Sequence, residues 1–350
     1  MLVSSQLSEV PTVQRLVTIW AARYYPDLSL LPIDIDPLTR RQLQKDSSLE
    51  GRTRTAQKIQ SQLVQRQCEL AACRTINLYA AAGNFNYVEA ARLAQAARRI
   101  YMKVSEVYQE PSKIVLTSRG KLWETFGDTS LEAWGIPKID KLASELEPIF
   151  LDLQEQYKVS ENWQSIGFIT TQLNFNNALL LEELDATEQV LISPYLKFLE
   201  EQVALPWQRV CAAAEKHELN SPKFALVEKM LPITTEISVK VFERWYKSFP
   251  NYSGCRGGLE DAGIRHSSLR DFDMFQAYLW LCLLEGNLAF IEQELAAICT
   301  IVFGILNIPW KMTVEGNKFL IQEILARLEP HQERLVRPYT QGMIKAFPDK

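Results

Sequence analysis

The sequence predicts an all-α protein, and three observations support this. The 350 residues include only 14 glycines and 16 prolines, fewer than a loop-rich β protein usually carries. Apolar residues recur at helical spacing through nearly the whole chain. The composition, 47% hydrophobic and 23% charged, is typical of an ordered globular chain. At about 150 residues per domain, the length favours two domains.

The first half, residues 1–187, is expected to form a helical bundle around two long helices. A proline-rich loop is expected over 26–37, and the pair Gly83–Asn84 is a helix stop signal. The stretch 111–138 is expected to be irregular, with a short strand at 113–117. The predicted helices of this half are 10–25, 51–82, 86–108, 139–157 and 162–184.

The second half, residues 188–350, is expected to form a separate helical domain. The stretch 185–193 is interpreted as the boundary that leads into it. Its predicted helices are 194–217, 222–229, 234–248, 268–285, 288–306, 313–328 and 331–347.

Charge and hydropathy exclude several classes of function. The 38 basic and 42 acidic residues give a net charge of −4, so nucleic acid is not an expected partner. The longest apolar run, Ala277–Leu284, is far shorter than the roughly 20 residues of a membrane span. The first residues lack a secretory pattern, and the six cysteines do not form a disulfide framework. A cytoplasmic location is therefore expected.

Local motifs of metal and catalytic sites are also missing from the sequence. The three histidines, His217, His266 and His331, lie far apart and lack metal-ligand spacing. A haem would need a histidine in the helix 288–306, which has none. The loop around Gly254 fits neither nucleotide-binding glycine pattern, and no local signature of a catalytic triad is present. We therefore expect no enzymatic activity and no metal site.

One run of motifs in the second half carries more information. A predicted helix ends in Phe249–Pro250, and a glycine-rich loop follows over 251–258. Ser268-Leu269-Arg270-Asp271 then opens the next helix, and Gly286 marks its end. This order resembles the phycobilisome proteins, the globin-like subunits of the cyanobacterial light-harvesting antenna. The resemblance covers residues 193–347, and it implies a globin-like fold for that half.

The resemblance also implies roles for three residues. In the family, a cysteine at the position of Ser268 forms a thioether to a linear tetrapyrrole, or bilin. A hydroxyl is far less nucleophilic than a thiolate, so covalent attachment at Ser268 is not expected. The residues matching Arg270 and Asp271 pair with a bilin propionate and accept bonds from the pyrrole N–H groups. The alternative is structural: Asp271 lies in the first helical turn, with Ser267 or Ser268 as the N-cap.

Cys255 offers another way to hold a pigment. It lies in a glycine-flanked loop and is followed by Arg256, a setting that lowers the pKa of an exposed thiol. Some relatives attach bilin through a cysteine away from the usual position, and Cys255 is a candidate for that role. The alternative is a free surface thiol. The arginine-rich helix faces around Arg52, Arg66 and Arg98 are either a docking face or a solvated one.

The leading hypothesis is a non-catalytic phycobilisome-like protein that carries no bilin. It would act through contacts with protein partners, such as phycobilisome or photosystem components, in antenna assembly or regulation. The alternative is a bilin-binding photoreceptor or light-harvesting protein that holds a phycocyanobilin-type pigment non-covalently or at Cys255. A third hypothesis is an enzyme acting on bilin. The resemblance implies a cyanobacterial cytoplasm, at the stromal-type face of thylakoids, and homo-oligomers are an open expectation.

Overall fold

The structure is a computed structural model that describes residues 9–26, 31, 37–60, 62–80, 86–111, 139–160, 163–254 and 257–349. Within these ranges the regular elements are helices and one short hairpin, β1 (Ser253–Gly254) and β2 (Gly257–Gly258), so the predicted all-α class is confirmed. In chain order the α-helices are α1 (Pro11–Ala21), α2 (Pro37–Ser47), α3 (Leu49–Ile59), α4 (Gln62–Ala80), α5 (Tyr87–Tyr108), α6 (Ile139–Ser160), α7 (Trp163–Glu182), α8 (Ala186–Ala204), α9 (Trp207–Ala213), α10 (Pro222–Met230), α11 (Thr234–Ser248), α12 (Ala262–Glu285), α13 (Ala296–Ile305), α14 (Trp310–Leu325) and α15 (Pro330–Ala346).

The first half differs from the prediction in its long helix over 51–82. Two helices, α3 and α4, replace it, and α2 precedes them. The Ser48 hydroxyl accepts a hydrogen bond from the Gly51 backbone N–H and so caps α3. A Cβ at Gly51 would lie 2.1 Å from the Lys45 carbonyl oxygen, so only glycine permits this close approach of α2 and α3. The expected stop at 83–84 and strand at 113–117 lie outside the described residues.

Helix α8 crosses the predicted boundary between residues 187 and 188. The expected helix start at Pro194 is wrong, because Glu188 accepts a hydrogen bond from the Asp185 backbone N–H and starts the helix earlier. Pro194 lies inside the helix. The division into two domains stays a prediction.

The buried apolar side chains of both halves form one connected core. The rings of Trp20, Tyr24 and Phe198 meet edge to face, with centroids 5.4–6.0 Å apart, and join the start of the chain to α8. Helix α7 packs against α4 and α5 of the first half and against α8 and α13. None of the helices in the described ranges is both long and apolar enough to cross a lipid bilayer.

In the second half, α11 has the predicted bounds, whereas α12 begins earlier than expected. Its N-cap is Asp261, whose Oδ1 accepts hydrogen bonds from the backbone N–H groups of Gly263 and Ile264. The expected start at Ser268 is therefore wrong. The helix ends at Gly286, which has a left-handed backbone with φ 69°. A π-helical segment, Phe290–Leu295, leads into α13.

Replacing Gly286 by alanine is expected to lower the free energy of unfolding by about 1 kcal/mol, because an L-residue is strained in the left-handed conformation. The matched control is Gly304→Ala. Gly304 lies inside α13 and an added Cβ there would contact nothing, so alanine should be neutral or slightly stabilising. Urea denaturation of both variants checks this. Equal stability changes in the two would contradict it.

Candidate functional site

A cleft lies between the first turns of α12 and the helices α7 and α13. Its lining is mostly apolar, and it holds about 930 Å³ of empty space when the part open to solvent is included. Gly167 lets α7 approach α13 closely, since a Cβ there would lie 2.5 Å from a Val302 methyl group. The part of this space that a water molecule can occupy is about 90 Å³.

The structure brings three of the four predicted site residues to this cleft. Ser268, Arg270 and Asp271 all line it. They lie well inside α12 rather than at its start, so the interpretation of Asp271 as a first-turn residue and of Ser268 as an N-cap is wrong. Cys255 lies outside the described residues, although Gly254, which precedes it, lines the cleft.

Arg270 is bonded by two carboxylates at the edge of the cleft. Its Nη2 and Nε donate to Asp271 Oδ1 at 3.0 and 3.3 Å. Its Nη1 lies 3.4 Å from Oε2 of Glu200, a buried residue of α8. The Arg270 side chain is 13% exposed. The guanidinium therefore already has carboxylate partners within the chain.

Glu200 has further partners on both sides of this contact. Its Oε1 accepts a 2.6 Å hydrogen bond from the Asn177 side chain of α7. Its Oε2 lies 3.0 Å from His266 Nε2 and 3.4 Å from the Asn174 amide nitrogen. The sequence reasoning missed Glu200. No local pattern indicated it, because Lys197 and Ser193 lie on the same face of α8 in the preceding turns.

These contacts set the protonation of both groups. Burial alone would raise the pKa of Glu200, but the hydrogen bond with His266 and the charge of Arg270 hold that pKa below its ordinary value. Burial acts against the charge of Arg270 as well, yet the two carboxylates raise its pKa. The pair is therefore ionised at neutral pH.

Glu200 also lines a second cavity, which is larger and more polar. This cavity holds about 2150 Å³ with its open part included, and Asn174, Asn177, Lys197 and His266 line it as well. One stretch of α7, residues 166–171, lines the first cleft, and the next, residues 174–182, lines the second. The Glu200–Arg270 contact therefore joins the walls of the two cavities.

A separate buried network lies next to this one, centred on Glu201. The Arg23 Nη2 donates to Glu201 at 3.3 Å and to Asp273 of α12 at 2.7 Å. The Tyr24 hydroxyl donates to Glu201 at 2.7 Å, and the Ser238 hydroxyl donates to Asp273 at 2.6 Å. The adjacent glutamates of α8 thus contact different arginines. Glu200 contacts Arg270 at the cleft, and Glu201 contacts Arg23.

Acid is expected to destabilise the protein through Glu200 and Glu201. Burial opposes the charged form of Glu201 too, but Arg23 and Lys197 lower its pKa. Because both folded-state pKa values lie below the ordinary value of 4.5, the stabilisation is complete above pH 4.5 and is lost as the pH falls through the lowered values. Urea denaturation between pH 6 and 3 should show this loss. A Glu200→Gln, Glu201→Gln double variant with an unchanged pH dependence would contradict it.

The other candidate residues have structural roles. Cys282 and Cys299 are buried in the core, as predicted, and burial raises the pKa of Cys282 to about 12. Trp245 contributes to the cleft and donates to the Met312 carbonyl at 2.8 Å. Arg52 is buried, so a docking or solvated face that includes Arg52 is wrong. Among the described residues, no group of three His, Cys, Asp or Glu side chains is arranged to hold a metal ion.

Comparison with known proteins concerns the C-terminal part of the chain. Residues 225–347, a little over a third of the chain, match the family model described as Phycobilisome protein. This confirms the resemblance and the globin-like, all-α character of that part. The matched segment contains Arg270 and Asp271, whereas Glu200 and the α7 wall of the cleft lie outside it. Neither the curated proteins nor the solved structures give a match.

Proposed function

We propose that this chain, whose residues 225–347 match the phycobilisome family, is a non-catalytic, light-harvesting-related protein that carries no bilin. It acts through contacts with antenna or photosystem proteins during assembly or regulation of the antenna. Its expected place is the cytoplasm, at the thylakoid face. The family match supports a part in a protein assembly.

One observation carries the bilin-free part of the proposal. At the cleft of the matched segment, Ser268 takes the position that the resemblance assigns to the attachment cysteine. A serine hydroxyl stays protonated at neutral pH and does not form the thioether. The neighbouring guanidinium of Arg270 is bonded to Asp271 and Glu200, so it is not held ready for a ligand carboxylate.

A second candidate function is bilin binding, favoured by the cleft itself. The apolar lining of the cleft and the polar pair Arg270 and Asp271 at its edge match the chemistry of a tetrapyrrole held without a covalent bond. Attachment at Cys255 would be a variant of this function.

The test of the proposal is the colour of the full chain purified from cells that make phycocyanobilin. We expect no visible absorbance band. A band that disappears on denaturation would favour the non-covalent candidate. A band that survives denaturation but is absent from Cys255→Ala would favour attachment at Cys255.

The protein contacts need a separate experiment. Affinity purification of the tagged chain from cells with intact antennas should recover phycobilisome or photosystem components. Recovery of neither would contradict the protein-contact part of the proposal. A tagged unrelated helical protein, prepared in parallel, serves as the control for non-specific capture.

A further inference from the structure

The Glu200 carboxylate lies against Arg270 from a part of the chain outside the matched segment. Glu200 belongs to α8, whereas Arg270 belongs to α12 and lines the cleft. A guanidinium at the edge of a mostly apolar cleft is a binding point for a ligand carboxylate, since the two pair in a fixed geometry. Glu200 thus offers Arg270 a carboxylate from within the chain, which is the same group that a ligand in this cleft would offer.

The geometry makes this contact replaceable. Arg270 Nη1 lies 3.4 Å from Glu200 Oε2. A strong charge-assisted hydrogen bond is shorter, about 2.7–2.9 Å between the heavy atoms. The other partners of Glu200 are closer, Asn177 at 2.6 Å and His266 at 3.0 Å. If Arg270 turns towards a ligand, Glu200 keeps these two partners. Releasing Arg270 therefore does not leave a buried carboxylate without hydrogen bonds.

We propose that Glu200 is a built-in competitor for Arg270, which weakens the binding of carboxylate-bearing, apolar ligands such as linear tetrapyrroles in the cleft. This inference rests on the proposed bilin-free function and gives it a mechanism. A ligand carboxylate must displace the Glu200 carboxylate from Arg270. Because Glu200 is part of the same chain, its effective concentration at Arg270 is high. Removing the charge of Glu200 removes its share of the competition, whereas Asp271 stays bonded to Arg270 in both forms. The Kd of a ligand with a free carboxylate should therefore fall.

The experiment measures binding of biliverdin to the purified full chain by absorbance titration. Glu200→Gln keeps the size of the side chain and removes its charge, and it is expected to lower the Kd about tenfold relative to the unchanged chain. The gain should vanish in Glu200→Gln, Arg270→Gln, because the competition acts at Arg270. Biliverdin dimethyl ester lacks free carboxylates. It should therefore bind the unchanged chain and Glu200→Gln with equal Kd.

The matched control is Glu201→Gln. Glu201 is the adjacent residue, equally buried, and it pairs with Arg23 instead of Arg270. It should leave the Kd unchanged, and circular dichroism confirms that each variant folds. Equal Kd values for the unchanged chain and Glu200→Gln, or no binding to either, would overturn the inference. A gain that the dimethyl ester shares would also overturn it, because the cause would be a wider cleft.

The two proposals fail in different ways. Pigment on the unchanged chain in cells would contradict the bilin-free function but would leave the Glu200 comparison intact. A Glu200→Gln variant without a gain would contradict the competition, even if the unchanged chain is colourless.

Discussion

Replacing Arg23 by methionine is expected to lower the free energy of unfolding by about 3–5 kcal/mol, as when one partner of a buried ion pair is removed. Arg23, Glu201 and Asp273 are nearly inaccessible, with side chains 3–6% exposed. Methionine has a similar length but cannot pair with either carboxylate. Both would remain in the core, where an uncompensated charge is costly. Urea denaturation at pH 7 measures the loss.

Arg15→Met is the control for this change. Arg15 lies on α1 and forms an ion pair with Glu228, but its side chain is 58% exposed. Exposed pairs contribute about 0–1 kcal/mol, so this variant should be close to the unchanged protein. Similar losses in the two variants would contradict a special role of the buried pair. Because Arg23 lowers the pKa of Glu201, Glu201 gains a proton more easily in Arg23→Met, and part of the loss should be recovered at pH 4–5.

Replacing Arg52 by leucine is expected to cost at least about 3 kcal/mol, because three hydrogen bonds to a charged donor are lost. The Arg52 guanidinium donates to the carbonyls of Ser47, Tyr108 and Glu110 at 2.8–2.9 Å. Ser47 and Tyr108 end α2 and α5, so one side chain satisfies the free carbonyls of two helix ends. Leucine would remove this donor from the carbonyls of two buried residues, Ser47 and Tyr108, and of the partly buried Glu110.

The comparison variant is Arg54→Leu, two residues further along α3. Its guanidinium lies 3.7 Å from Asp46, and the side chain is 47% exposed. We expect a change below about 1 kcal/mol. Thermal unfolding followed by circular dichroism compares the two variants. If Arg52→Leu melts at the same temperature as Arg54→Leu, the capping role is wrong.

The sequence was a good guide where a pattern is local. Helical spacing and the Phe249–Pro250 pair placed α11 at its observed bounds. The glycine at position 286 marked the end of α12 correctly. The motif with Arg270 and Asp271 identified residues that line a mostly apolar cleft. These features depend on neighbours a few residues apart in the chain.

The partners of these residues could not be found in the same way. Glu200 meets Arg270 across 70 positions, and Arg52 meets Tyr108 across 56. A charged residue in a helix is normally assigned to the solvated face of that helix. Only the fold shows that Glu200 and Arg52 are buried. Sequence spacing also placed the start of α12 at Ser268, because Ser268 is a good N-cap residue, although Asp261 caps the helix.

Helix α7 forms a wall of the cleft and also packs against α4, α5 and α8. Occupancy of the cleft and stability of the first half are therefore thermodynamically linked. A molecule that binds the folded cleft raises the melting temperature of the first half with it. By reciprocity, a change in the first half that stabilises the packing of α7 raises the affinity of the cleft for such a molecule.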